Sequence, residues 1–168
     1  SLSHTAEVTL ESNPGTLPAQ KLHDFIKLGV NRLSVGVQRL DDARLRFLGR
    51  RHSVTDALCL LDVACSAGVR VSADFIYGLP NDTVADIENM CRGINDLGLT
   101  HCSLYELTIE PDTPFGRMNL EMPDNDAMAE MYNAIGMCLD LPRYEVSNYA
   151  TPGNECIHNQ NIWDGMPY

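Results

Sequence analysis

The sequence predicts an α/β domain built around a mainly parallel sheet. Three observations carry this. Short β-rich runs alternate with helical runs at least four times along the chain. The helical runs close on a glycine and lead within a few residues into a strand, at Gly29-Val30, Gly68-Val69 and Gly98-Leu99. Each strand also places a polar residue at or near its C-terminal end. A β-then-α unit used repeatedly gives parallel strands joined by right-handed crossovers. An open doubly wound sheet and a (β/α) barrel both satisfy the pattern, and in both the ligand site lies at the C-terminal ends of the strands.

The elements follow in order. Glu7 to Ser12 is a short β-rich run ended by the turn signal Asn13-Pro14-Gly15. Leu22, Phe25 and Ile26 share one helix face, which Gly29 closes. Arg32 to Gln38 reads as a second strand, and Asp41 to Leu48 as a short charged helix. Ser53, with Asp56 three residues on, starts a helix with a capping-box pattern. Ala57, Leu58, Leu61, Ala64 and Cys65 form its expected apolar face. Val71 to Leu79 is the third strand. Asp82 is the expected N-cap of a helix through Val84, Ile87, Cys91, Ile94 and Leu97. Cys102 to Ile109 reads as the fourth strand. Pro123 and Asp124 open what reads as the last helix, with Met128, Met131, Ile135 and Cys138 on one face. Tyr144 to Tyr149 is a candidate fifth strand, and the tail from Thr151 is polar and rich in turn residues.

Composition excludes several function classes. A net charge of −11 over 168 residues argues against a nucleic-acid partner, whose phosphates need Lys and Arg. It leaves room for a small anion held by a few arginines. No apolar run approaches the ~20 residues of a membrane helix. The six cysteines, Cys59, Cys65, Cys91, Cys102, Cys138 and Cys156, show no metal-like spacing. They read mostly as small core residues. A reducing cytoplasm or organelle interior fits that usage.

Asp74 stands inside the apolar run Val71-Ser72-Ala73-Asp74-Phe75-Ile76-Tyr77-Gly78-Leu79-Pro80. A buried carboxylate costs several kcal/mol unless something pairs with it. Glu11, Gln38, Asp74, and Glu106 with Thr108 end four strands in register. One such residue could cap a neighbouring helix; four converging on one rim point to a ligand site. Four or five strands cannot close a barrel. Since the sequence also opens almost directly on a strand, it is expected to be the middle of a larger protein.

Five stretches in order carry a resemblance: Thr9 to Thr16, Gly29 to Gln38, Leu48-Gly49-Arg50-Arg51-His52, Asp74 to Pro80 and Ser103 to Pro111. Together they resemble radical S-adenosylmethionine (radical SAM) proteins. The branch is that of oxygen-independent coproporphyrinogen III oxidase (HemN) and its haem-chaperone relatives (HemW). The resemblance implies a partial (β/α)6 TIM-like barrel, a 4Fe–4S cluster and S-adenosylmethionine cleaved reductively to a radical. The family's C-x-x-x-C-x-x-C motif and its Gly-Gly motif are not in this sequence. Residues 1–150 therefore resemble a barrel core from its third strand onward, without the cluster-binding strands. Residues 151–168 resemble the start of a C-terminal region.

By the same resemblance, Glu11, Gln38 and Arg50 contact S-adenosylmethionine, Arg50 at its carboxylate. A guanidinium fork suits that group, and Arg51 is the neighbouring choice. Asp74 is implied at the ribose hydroxyls, and Ile76 and Thr108 at the adenine. His158-Asn159-Gln160-Asn161-Ile162-Trp163 resembles an H-N-x-x-Y-W motif linked to haem, with Ile162 where the family has tyrosine. His158 is the implied haem ligand; the alternative is a packed pair of His158 and Trp163 on a surface loop.

The implied function is a haem-binding chaperone that delivers haem to acceptor proteins. The runner-up is radical decarboxylation of coproporphyrinogen propionates, and a third reading is an inactive fragment or generic α/β binding module. Met118, Met122, Met128, Met131 and Met137 read as core filler rather than haem ligands. Cys156 with His158 makes too small a set for a metal site. Arg32 and Arg117 are substrate or surface charges, and Tyr77 packs beneath the rim.

Overall fold

A computed structural model describes residues 6–166. Five strands form one sheet in the order β1 (Thr9–Ser12), β2 (Arg32–Gln38), β3 (Arg70–Tyr77), β4 (His101–Glu106) and β5 (Asn148–Ala150). The first four are parallel and β5 is antiparallel to β4. The connections are α1 (Ala19–Lys27), the pair α2 (Asp42–Phe47) and α3 (Val54–Ser66), α4 (Val84–Asp96) and α5 (Asn125–Cys138). A short helix, α6 (Ile157–Trp163), ends the described chain.

The strands' side chains alternate, and that decides between the two architectures. Leu33, Val35 and Val37 of β2, Val71, Ala73, Phe75 and Tyr77 of β3, and Cys102 and Leu104 of β4 point into one hydrophobic core. There they meet Leu22, Ala57, Leu61, Ile87, Ile94, Met131 and Ile135 from α1, α3, α4 and α5. The opposite face carries Arg32, Ser34, Gln38, Ser72, Asp74, His101 and Ser103. A doubly wound sheet has helices on both faces. Here α1, α3, α4 and α5 pack on one face and the other is polar, as the interior of an incomplete barrel would be. The sheet does not close.

Local signals explain most boundaries. Ser53 and Asp56 form a complete capping box at α3. Asp124 caps α5 through the Ala127 N–H at 2.8 Å. Several expectations need correction. The cap of α4 is Thr83, in a box with Asp86; Asp82 is instead buried against Arg39 and Arg44. The buried face of α3 is Ala57, Leu60, Leu61 and Ala64, while Leu58, Cys59 and Cys65 are exposed. That face follows i, i+3, i+4, i+7 spacing and leaves Leu58 and Cys65 one step off it.

β4 stops at Glu106 rather than Ile109. The Leu107 N–H reaches the Tyr77 carbonyl at 2.9 Å, after which the partner strand turns away at Gly78 (φ 76°) and nothing remains to pair with. The Tyr144–Tyr149 run is not one strand. The Ala150 N–H bonds the Pro142 carbonyl and the Tyr144 N–H bonds the Asn148 carbonyl, so residues 142–150 form a tight hairpin. Its turn is organised by Glu145, whose carboxylate accepts from the Ser147 N–H and the Asn148 side-chain amide. The hairpin reverses the chain, which makes β5 antiparallel. Finally, α5 is not the last helix, since α6 follows it.

Candidate ligand cavity on the polar face of the sheet

A cavity of about 510 Å3 lies on the polar face. It runs from Thr9 and Arg32, where the strands begin, to Gln38, Glu106, Leu107 and Thr108, where they end. Of the sequence-predicted residues, Glu11, Gln38, Asp74, Ile76, Thr108 and His158 all line it. Thr108 does so from the loop after β4. Arg50 does not. It lines a separate cavity of about 250 Å3 with Asn13, Pro14, Thr16, Gly49, Arg51 and His52. Its Nε is buried without a hydrogen-bond partner among the described residues. Arg32 is a buried cavity residue, whereas Arg117 is exposed.

The two cavities approach each other at Gly36. A Cβ there would stand 2.7 Å from both Asn13 Oδ1 and Gln38 Nε2. Only glycine lets the Asn13 and Gln38 side chains come together over the strand. Gln38 itself has φ 70°, and the β2–β3 register shifts between Val35 and Gln38. A non-glycine residue in the left-handed region is strained by about 1–3 kcal/mol, and such strain concentrates at ligand sites. Gln38→Gly is therefore expected to raise the unfolding free energy by about 1 kcal/mol while removing a polar group from the cavity. Urea denaturation checks this; an unchanged or lower midpoint would show that the side chain stabilises the fold.

Asp74 is the carboxylate at mid-strand. Its Oδ2 accepts from Ser34 Oγ at 2.8 Å. Burial pushes its pKa above the usual carboxylate range; the Ser34 and Ser103 hydroxyls and Arg32 hold it down, and Glu11 pushes it up further. A raised carboxyl binds its proton more tightly folded than unfolded. Stability is therefore lost as pH rises from the ordinary value of 3.8 through the raised one. The fold carries this acid at a cost, as expected of a group kept for a ligand.

Beneath Asp74 the polar face continues as a relay. Ser72 Oγ meets His101 Nδ1 at 2.7 Å, and His101 Nε2 meets the Tyr144 hydroxyl at 2.8 Å. That hydroxyl also accepts the Cys156 N–H at 3.2 Å. Burial and then Arg32 push the imidazole down to about 4; Glu7 pulls it up, and Arg70 adds a smaller downward push. Beside Asp74, Ser103 Oγ donates to Asn148 Oδ1 at 2.6 Å.

Ser34, Ser103, Tyr105, Asn148 and Asn159 also line the cavity, and the sequence does not single them out. A signal for them existed. Arg32-x-Ser34-x-Gly36-x-Gln38, Ser72-x-Asp74 and His101-x-Ser103-x-Tyr105 alternate with apolar residues over whole strands.

Among the described residues no three His, Cys, Asp or Glu side chains gather as a metal site. These residues therefore do not fit an iron–sulfur cluster. They do fit a nucleoside-like ligand that carries positive charge. The cavity offers the acids Glu11, Asp74 and Glu106, an amide and the apolar Ile76, and a buried guanidinium nitrogen next door lacks an acceptor. None of the helices is long and apolar enough to cross a membrane, among the described residues.

Residues 2–94 match the Radical SAM superfamily. Among curated proteins the chain is 37% identical over 166 residues to the haem chaperone HemW of Escherichia coli, covering 96% of this chain and 44% of that protein. It is 42% identical over 175 residues to the mouse mitochondrial radical S-adenosyl methionine domain-containing protein 1, covering 97% and 39%. The chain thus spans less than half the length of these relatives. Among solved structures, E. coli coproporphyrinogen III oxidase HemN aligns with TM-score 0.76 at 20% identity, over 95% of this chain and 38% of that one. An archaeal Elp3 from Methanocaldococcus infernus aligns with TM-score 0.70 at 15% identity, over 96% and 42%. At such identities the likeness is one of fold.

Proposed function

Because the chain belongs to the Radical SAM superfamily, matched over residues 2–94, we propose that its polar-face cavity holds S-adenosylmethionine. The observation that carries the reading is the position of Asp74, with Glu11 and Gln38, in one cavity of about 510 Å3. Ser34 occupies Asp74 Oδ2, and the carboxylate retains lone pairs for the ribose hydroxyls. Ile76 and Thr108 take the adenine. Glu11 and Gln38 face the charged part of the ligand, and Arg50 is the partner of its carboxylate, the acceptor that its buried Nε lacks. When bound, S-adenosylmethionine supplies radical chemistry. This chain's residues bind and orient it.

The whole protein's task is a further step. We read it as a haem-binding chaperone that hands haem to acceptor proteins, with His158 as the iron ligand. Its similarity to the E. coli haem chaperone HemW supports this. So does the chemistry of an exposed imidazole on α6 with exposed Ile162 and Trp163 on the same short helix. Absorbance titration of the intact protein with haemin tests it. The reading expects a stoichiometric Soret shift that His158→Ala abolishes, and no anaerobic consumption of coproporphyrinogen. Conversion of coproporphyrinogen to a vinyl product would assign the protein to the oxidases instead.

A further inference from the structure

We infer that Glu7 and Tyr144 are positioning residues for α6, seating the helix that carries His158 as the floor of the strand-face cavity. A seven-residue helix has little stability of its own. Its N-cap position, Cys156, makes no side-chain cap hydrogen bond. The missing acceptor comes from 150 residues away. Glu7 Oε1 accepts the Ile157 N–H at 3.1 Å and the Cys156 thiol at 3.4 Å. Its other oxygen is held by Arg70 at 2.6 Å, and the Glu7 side chain is only 5% exposed. An acid this buried persists because it is paired and hydrogen-bonded on both oxygens.

Tyr144 is the second point of the clamp. Its hydroxyl accepts the Cys156 N–H and is tied through His101 to Ser72, in the middle of the sheet. The far end of α6 is also tied down. Trp163 Nε1 donates to Glu145 Oε2 at 2.9 Å, and Glu145 holds Asn148, which receives the Ser103 hydroxyl. Ser103 is the register partner of Asp74. One hydrogen-bond network therefore joins α6 to the side chains around Asp74. Cys156, His158 and Asn159 line the same cavity, and His158 and Thr9 also border a second one of about 450 Å3. A ligand that orders the cavity orders α6, and the reverse holds by linkage. As regards His158 and haem, this rests on the function proposed above.

Hydrogen exchange tests the positioning without any cofactor. In Glu7→Ala and in Tyr144→Phe, amides 156–163 are expected to exchange about tenfold faster, the effect of losing a hydrogen bond to a charged or buried partner. Amides of α3 and α4 stay at wild-type rates. Glu7→Gln keeps an acceptor oxygen and restores protection to within about twofold. The fluorescence of Trp163, the chain's only tryptophan, moves to longer wavelength in step. Wild-type exchange at 156–163 in both Glu7→Ala and Tyr144→Phe overturns the inference, and so does Glu7→Gln behaving as Glu7→Ala. Tyr144→Phe decides the matter if Glu7→Ala does not fold. A haemin titration then separates the two proposals. If His158→Ala weakens haemin and Glu7→Ala does so about tenfold, both stand. If only His158→Ala does, the positioning role is overturned. If His158→Ala changes nothing, the haem reading fails, and the exchange result alone decides for α6.

Discussion

Asp82→Ala is expected to destabilise the fold by about 3–5 kcal/mol, the cost of leaving a buried charge without its partner. Arg39 is 4% exposed and donates to both Asp82 oxygens, Nη1 to Oδ2 at 3.0 Å and Nη2 to Oδ1 at 3.1 Å. Arg44 approaches Oδ1 at 3.3 Å. The same carboxylate accepts the Leu79 N–H at 2.8 Å. Arg39 also reaches the Ile76 carbonyl and Arg44 the Pro80 carbonyl. This one acid fixes the Gly78-Leu79-Pro80 exit of β3, next to the cavity rim. Removing it strands two guanidiniums and a backbone donor. Removing both charges together, as Arg39→Met with Asp82→Leu, is expected to cost much less, because a buried pair contributes little net over an apolar replacement. Urea unfolding of the single and double variants checks this. Equal losses in both would mean that Asp82 acts through shape rather than charge.

The second large effect is loss of stability in acid through His101. Its pKa is about 4 in the fold, against an ordinary 6.5. A depressed base binds its proton less readily folded than unfolded, so the unfolded chain gains protons first as pH falls. Stability present above pH 6.5 is therefore lost as pH falls toward 4, by about 3 kcal/mol at 1.36 kcal/mol per unit. Protonation also turns both ring nitrogens into donors, where the neutral ring offers the Ser72 and Tyr144 hydroxyls one donor and one acceptor. Asp74 works with the opposite sign over part of this range, since its raised carboxyl relieves the fold as it protonates. Glu7, held below the usual carboxylate range by Cys156, Arg32 and Arg70 against burial, is lost only further down. The discriminating quantity is the slope of unfolding free energy between pH 6.5 and 4.5, compared in wild type and His101→Gln. The variant is expected to be less stable at neutral pH but much flatter with pH. Parallel slopes would remove His101 as the titrating group.

The fold was legible where periodicity and caps agreed. β2 runs from Arg32 to Gln38, as its composition indicates, and the capping box at Ser53 forms as read. Tertiary partners decided the rest. Asp82 has the chemistry of a cap, but Thr83 lies one residue nearer the helix and Arg39 arrives from the loop just after β2. Tyr144 to Tyr149 has strand composition, yet Glu145 folds it into a hairpin. At the site, Glu11 and Gln38 near strand ends, and Asp74 in mid-strand rather than at the strand end the sequence suggested, were visible because an acid or amide is costly inside an apolar run. Ser34, Ser103 and Asn148 were not, since small polar residues are inconspicuous until alternation is followed along a whole strand. Glu7 was invisible for a different reason: its partners on α6 lie 150 residues on.

Asp74 and its neighbours are proposed above to hold S-adenosylmethionine. Calorimetric titration of S-adenosylmethionine into the intact, cluster-loaded protein tests it most directly, with Asp74→Asn and Arg50→Ala run beside wild type. Hydrogen bonds to a charged group contribute about 1.5–3 kcal/mol, so each variant is expected to bind roughly ten- to hundredfold more weakly. Asp74→Asn should do so while melting at a higher temperature at pH 7, because it removes a buried acid whose ionisation burdens the fold. Wild-type affinity in Asp74→Asn would contradict the account and remove the carboxylate from the site.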